Sequence, residues 1–359
     1  MPQFRILLSR LRENVESLLA MNDAGDILIA RRPKAPGNGG VSCKGVCGLR
    51  FQALTGRRLP LTYLLPEPSL PDAFVTAMNN RGEVVGGYPG SMGIEGSHGL
   101  FWYDQGRMTL LVGAGAGVAI NDAGQIITDE THVTDGQVFG DYAVRLRPGV
   151  SHLPNGPLAL PGNLPGHQGI SARSINRSGA VVGPGMVLWQ PGQYQKGHTV
   201  EQDSPSNAST PFAGGSHPFI TDMGVIVCLG SSPHKVSPEA LRFHRWRAGA
   251  PTAAIPVHFP PNSLFRQGSG KTMPGAYTLT TVGANARGEV LLNVKGECIV
   301  GGKKAVLTES LLWHESGQAE RLPHIESSLF LNNRGWILGI LPRDRTRPSP
   351  ARYALLRPL

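Results

Sequence analysis

Phe74-Val-Thr-Ala-Met-Asn-Asn-Arg-Gly-Glu-Val-Val-Gly-Gly-Tyr88, then His98-Gly-Leu-Phe-Trp-Tyr-Asp104 and Arg107-Met-Thr-Leu-Leu111, is the stretch that decides the fold. Its centre, Asn79-Asn-Arg-Gly82, has the grammar of a tight turn. An Asn at the first position caps the turn with its side chain, and a Gly three residues on takes the positive φ of a bulged hairpin. Apolar residues, many β-branched or aromatic, flank the turn on both sides, so the stretch reads as strand, turn, strand. The later segments give a third strand ending in Trp102, a turn at Gly106 and a fourth strand. One unit is therefore four antiparallel strands.

The unit recurs along the whole chain. Its turn appears as Asn22-Asp-Ala-Gly25, Asn79-Asn-Arg-Gly82, Asn121-Asp-Ala-Gly124, Asn176-Arg-Ser-Gly179, Thr221-Asp-Met-Gly224, Asn285-Ala-Arg-Gly288 and Asn332-Asn-Arg-Gly335. Each is followed by an apolar strand. The third strand recurs as Leu100-Phe-Trp102, Val187-Leu-Trp189, Phe243-His-Arg-Trp246 and Leu311-Leu-Trp313, each with a Gly a few residues on. Degenerate copies stand at Val144-Arg-Leu146, Phe51 and Tyr353-Ala-Leu-Leu356. Four of the chain's five tryptophans fill this slot, so they are assigned to packing between neighbouring sheets rather than to a ligand platform.

Seven four-stranded antiparallel sheets set radially make a β-propeller. The expected fold is all-β, a seven-bladed β-propeller in a single domain over 1–359. The expected blades are 18–65, 74–111, 118–153, 170–200, 218–258, 278–323 and 327–359. The last has no fourth strand of its own, and the N-terminal strand 3–9 is expected to complete it. Such pairing buries both sheet edges.

Composition agrees. The chain of 359 residues holds 47 Gly and 30 Pro, which argues against a helical bundle. With 40% hydrophobic residues it has enough to build a core, and no apolar run is long enough for a membrane-spanning helix. The net charge of +9 invites acidic partners, but the 34 basic residues are scattered, densest at Arg343, Arg345, Arg347, Arg352 and Arg357, as on a solvated surface. The 4 cysteines are too few for a disulfide framework. Cys43 and Cys47 lack the spacing of a zinc pair, and their redox state is left open; Cys228 and Cys298 lie in apolar runs. The N-terminus has no signal-peptide pattern, which implies a cytoplasmic chain as written, or an extracellular one if a leader precedes it.

Ala119-Ile-Asn-Asp-Ala-Gly-Gln-Ile-Ile127 and His98-Gly-Leu-Phe-Trp102 resemble the two halves of the HAF repeat, a family of extracellular repeats. The resemblance covers nearly the whole chain and implies a propeller-like architecture. It implies no common activity or site. Only the copy at His98 keeps the motif histidine, which reads as structural.

In such sheets the tight turns share one end, and the variable connections 31–48, 88–98, 129–141, 154–170, 195–217, 258–276 and 341–350 share the other. Binding residues concentrate on loops carried by rigid scaffolds. The ligand-binding candidates are therefore Asp129, Glu130, His132, His167, His217, Arg266 and Lys271. No catalytic residue, metal or cofactor is assigned. Gly268-Ser-Gly-Lys-Thr272 fails as a phosphate loop because Phe265 stands where its first glycine belongs. The leading expectation is a monomeric, non-catalytic binding scaffold for another protein. A polysaccharide lyase or hydrolase, and a lectin-like or nucleic-acid-binding module, are the alternatives.

Overall fold

The computed structural model describes residues 3–8, 16–31, 46–52, 55–60, 73–89, 98–104, 107–111, 116–134, 137–142, 174–183, 187–190, 198–199, 218–230, 242–247, 253–265, 277–300, 303–342 and 352–357. These residues form strands and turns with no helix, so the protein is all-β where described. The N-terminal strand β1 (Gln3–Leu8) groups with the C-terminal half. Two compact units result, one of residues 12–198 and one of residues 1–11 with 199–359.

The first unit opens with the meander β2 (Glu16–Met21), β3 (Asp26–Arg31), β4 (Val46–Gln52) and β5 (Arg57–Pro60). The next is β6 (Ala73–Met78), β7 (Val84–Pro89), β8 (His98–Asp104) and β9 (Arg107–Leu111). A short parallel pairing, Val46↔Ala73 and Cys47↔Phe74, ties the two meanders into one eight-stranded sheet. Then come β10 (Ala116–Ile120), β11 (Ile126–Thr134) and β12 (Gln137–Tyr142), a three-stranded sheet. The unit ends with β13 (Ser174–Ile175), β14 (Val181–Gly183), β15 (Val187–Trp189) and β16 (His198–Thr199).

The second unit holds three four-stranded sheets. They are β17 (Phe219–Ile220), β18 (Ile226–Gly230), β19 (Arg242–Trp246) and β20 (Ala253–Pro256); β21 (Tyr277–Ala284), β22 (Val290–Val300), β23 (Lys303–Trp313) and β24 (Ala319–Arg321); and β25 (Ser327–Leu331), β26 (Ile337–Ile340) and β27 (Tyr353–Arg357) with β1. The N-terminal strand does complete the last sheet, pairing antiparallel with β27 from Gln3↔Arg357 to Leu8↔Tyr353.

One expectation is corrected. The sequence predicts a loop over 129–141, with the next strand at Val144-Arg-Leu146. Instead β11 runs on to Thr134 and folds back as β12, with Thr134↔Gln137 and Val133↔Val138 paired. Asp135-Gly136 between His-Val-Thr and Gln-Val-Phe is a two-residue hairpin signal, and it outweighs the polar character of Asp129, Glu130 and His132. Val144–Leu146 lies outside the described residues.

The seven turns share one geometry. In each the glycine N–H donates to the carbonyl of the first turn residue at 2.9–3.1 Å. The seven glycines have φ between 73° and 90°, the region where only glycine is unstrained. The first residue's side-chain oxygen then accepts the N–H four residues on, from Asp26→Asn22 at 2.8 Å to Val225→Thr221 at 3.1 Å. Five hairpins also carry a register shift at the residue three before the turn's first position, namely Leu19, Thr76, Val118, Val282 and Leu329. A bulge there bends the first strand and raises its twist.

The tryptophan slot is a packing slot. Trp189, Trp246 and Trp313 are buried, and Trp102 is half-buried. Phe243 of β19 lies against Trp313 of β23, with ring centroids 4.5 Å apart and planes tilted by 43°. Their cluster includes Val225, Val227, Leu279, Val290, Leu292, Val294 and Leu311, so it fills the space between two neighbouring sheets. Each such buried aliphatic side chain contributes about 1.5–3 kcal/mol.

Candidate functional site

Antiparallel meanders place their first and third turns at one end of each sheet. The connections between second and third strands, and between sheets, leave from the other end. The two ends differ in chemistry.

At the tight-turn end the turns are hydrogen-bonded to one another. Asn79 Nδ2 donates to the Asn121 carbonyl at 2.9 Å, and Asn121 Nδ2 donates to the Asn176 carbonyl at 2.7 Å. The second turn residues add a further layer. Asn80 Nδ2 donates to Asp23 Oδ2 and to Asp122 Oδ2, both at 2.9 Å. The Asp23 N–H donates to Asn80 Oδ1 at 2.6 Å, and the Asn80 N–H donates to Asp122 Oδ1 at 2.9 Å. In the other unit the Ala286 N–H donates to Asn333 Oδ1 at 2.8 Å, and Asn333 Nδ2 reaches Asp222 Oδ2 at 3.4 Å. These contacts bury the capping side chains Asn22, Asn79, Asn121, Asn176, Thr221, Asn285 and Asn332. In two turns the third residue is an Arg that forks onto the following Glu. Arg81 Nη2 meets Glu83 at 2.6 Å and Arg287 Nη2 meets Glu289 at 2.7 Å. The polar groups of this end thus serve one another.

The other end carries the inserted connections. Of the residues expected there, Asp129, Glu130 and His132 sit in the β11 ladder, with Glu130↔Tyr142 and His132↔Phe139 paired to β12. His167, His217, Arg266 and Lys271 lie outside the described residues. The structure thus describes three of the seven candidates, all on the first strand of one hairpin. Among the described residues, no group of three His, Cys, Asp or Glu is placed to hold a metal ion.

The connection 258–276 has a packed first half. The His258 N–H donates to the Gly317 carbonyl at 2.9 Å, and the Ala319 N–H donates to the His258 carbonyl at 3.1 Å. Phe265, which breaks the phosphate-loop pattern, is buried with Val257 in the apolar cluster around Trp313. Beside it lies Glu309, a carboxylate only 1% exposed. Ser263 Oγ donates to Glu309 Oε1, the Leu264 N–H donates to Oε2 at 2.8 Å, and Arg321 Nε lies 3.3 Å from Oε2. Alternation puts Glu309 on the face of Leu307, Leu311 and Trp313, but the sequence does not show the segment 262–264 that receives its carboxylate.

Tyr88 on β7 is buried, and that burial raises its phenol above the usual tyrosine range. Among the described residues no helix is long and apolar enough to cross a membrane. Comparison with known protein families and with curated proteins finds no match to the chain.

Proposed function

We propose that the chain is a seven-bladed β-propeller of the HAF-repeat kind and works as a non-catalytic scaffold that binds another protein through its insertion-bearing end. The observation that carries this reading is the contrast between the two ends. Within each unit, turns of one design hydrogen-bond to one another, which braces that end. At the opposite end the connections between second and third strands vary in length, from two residues at 135–136 and 301–302 to fourteen at 32–45. Rigid support under variable loops is the arrangement that presents a binding surface. The variation also speaks against a lectin-like repeat of one pocket per blade.

The test is capture from native lysate at low and high salt. It uses the full chain and a variant whose 32–45, 231–241 and 341–352 connections are replaced by short Gly-Ser turns. The expected result is one protein recovered in near-equal amount at both salts and lost with the shortened connections. Recovery by both forms alike, or only of salt-labile nucleic acid, overturns the reading.

A further inference from the structure

We propose that Glu309 is a positioning residue, one that fixes the strap 257–265 against the second unit and so sets where the connection 266–276 departs from it. The inference rests on the proposed function for its purpose, but not for its test.

Strand β23 alternates its side chains between two faces. On the face that carries Glu309, its nearest neighbours along β22 and β23 are apolar. Glu309 is paired to Val294, and its neighbours on that face, Leu311 and Leu292, are fully buried. An aliphatic residue at 309 would fill such a place at no electrostatic cost, whereas burying a carboxylate requires taking a charge out of water. What the carboxylate does, and an aliphatic chain would not, is to select one path for the passing backbone. Both oxygens are engaged by the strap, Oε1 by Ser263 Oγ and Oε2 by the Leu264 N–H at 2.8 Å. Arg321 completes the grip from the next strand. Its Nε faces Glu309 at 3.3 Å and its Nη1 donates to the Asn262 carbonyl at 3.0 Å.

The strap is shaped to be held in this way. Pro260 to Ser263 is a turn closed by the Ser263 N–H donating to the Pro260 carbonyl at 2.9 Å, with Pro261 at the position where a fixed φ favours it. Ser263 Oγ also accepts the Phe265 N–H at 3.1 Å, which orients Phe265 into the cluster around Trp313. Phe265 is the last residue before the stretch that holds Arg266 and Lys271. A base fixed by one carboxylate and one guanidinium therefore immediately precedes, along the chain, the stretch assigned to binding.

The experiment is hydrogen exchange on the full chain, comparing wild type with Glu309→Leu and Glu309→Gln. Glu309→Leu is expected to raise exchange of the Leu264 and Phe265 amides by about tenfold or more, while β21, β22 and β23 stay within about twofold of wild type. Glu309→Gln is expected to fall between, because an amide still accepts the Leu264 N–H but loses the attraction of Arg321. If Glu309→Leu folds poorly, Arg321→Ala provides the same reading from the other side of the grip and is expected to loosen 262–265 selectively. Unchanged strap exchange in the leucine variant overturns the proposal. So does a uniform rise across β21–β24, which would make Glu309 an ordinary structural group. Exchange needs no partner, so a strap that loosens in a chain that captures nothing keeps this inference and removes the function proposed above.

Discussion

Asn80 and Asp122 bind each other twice, the Asn80 N–H donating to Asp122 Oδ1 and Asn80 Nδ2 donating to Asp122 Oδ2, both at 2.9 Å. The same amide reaches back to Asp23 at 2.9 Å, so one neutral side chain lies between two carboxylates from turns on either side of it. The amide joins three turns and separates two negative charges.

Replacing Asn80 tests both roles. Asn80→Ala removes the side chain from three hydrogen bonds and is expected to cost about 2–3 kcal/mol in urea unfolding, at roughly 1 kcal/mol each. Asn80→Asp puts a third carboxylate between two others, and like charges at that distance disfavour ionisation. It is expected to be less stable than the alanine variant at pH 7 and to gain on it as pH falls, because protonation relieves the repulsion. Equal stability of the two variants across that range would show that Asp23 and Asp122 do not sense the group between them.

Glycines 224 and 339 are required for different reasons, and substitution separates them. Gly224 has φ +73° and open space around an added Cβ. Gly224→Ala is therefore expected to cost about 1–2 kcal/mol from backbone strain alone, with Gly224→Asn less costly because asparagine tolerates this region. Gly339 carries no positive φ, but an added Cβ would lie 2.7 Å from Ile325 Cγ2 and 3.1 Å from the Ser327 carbonyl. Gly339→Ala is expected to cost about 1–3 kcal/mol from overpacking, and Gly339→Asn more. Thermal unfolding of the four variants gives the two rankings. Asparagine milder than alanine at both positions would remove the steric account of Gly339.

The turns were legible because their signal is short-range. Asn, Gly and the flanking apolar residues all lie within one hairpin, and the structure gives each copy the expected turn. The bulge before five of the turns was not legible, since Leu19, Val118, Val282 and Leu329 are ordinary aliphatic strand residues and Thr76 is an ordinary β-branched one. Their common feature is a position in the first strand; at one of them, Thr76, the side chain also donates from Oγ1 to the Gly117 carbonyl of the next sheet. The second use of the capping asparagines was hidden for the same reason. A sequence shows that Asn79 caps its own turn but not that its amide meets the carbonyl of Asn121. The candidate site was read from loop position, and that failed where Asp135-Gly136 outweighed the charges beside it. Glu309 was hidden because a strand acid is ordinary until the strap that covers it is known.

Tyr88 gives an alkaline signature. Burial raises its folded-state pKa above the unfolded value, so the unfolded chain loses the phenol proton first. The stability tied to the neutral phenol is complete below about pH 10, the ordinary tyrosine value, and is lost as pH rises from there through the folded-state value. Tyr88→Phe carries no such proton. Its urea midpoint is expected to fall less between pH 9 and 11 than that of wild type, and identical slopes would mean that Tyr88 ionises in the folded chain as freely as in the unfolded one.

Thr221 is the one departure from asparagine at the head of the seven turns. Its Oγ1 accepts the Val225 N–H at 3.1 Å, which reproduces the cap, but a threonine has no amide to donate onward. Asn79 and Asn121 show what that donor does, since each reaches the carbonyl of the first residue in the following turn. For Thr221 the equivalent acceptor is the carbonyl of Asn285. Thr221→Asn is therefore expected to stabilise the second unit by up to about 0.5–1.5 kcal/mol, the net value of one buried hydrogen bond less what the replaced hydroxyl contributes. The readout is paired. The urea midpoint should rise in Thr221→Asn, and exchange of the Asp222 and Ala286 amides should slow together. A double variant, Thr221→Asn with Gly224→Ala, should lose the gain, because the donor reaches its acceptor only from an unstrained turn. A midpoint unchanged or lowered in the single variant would show that the link between successive turns is a property of the first unit and not of the repeat.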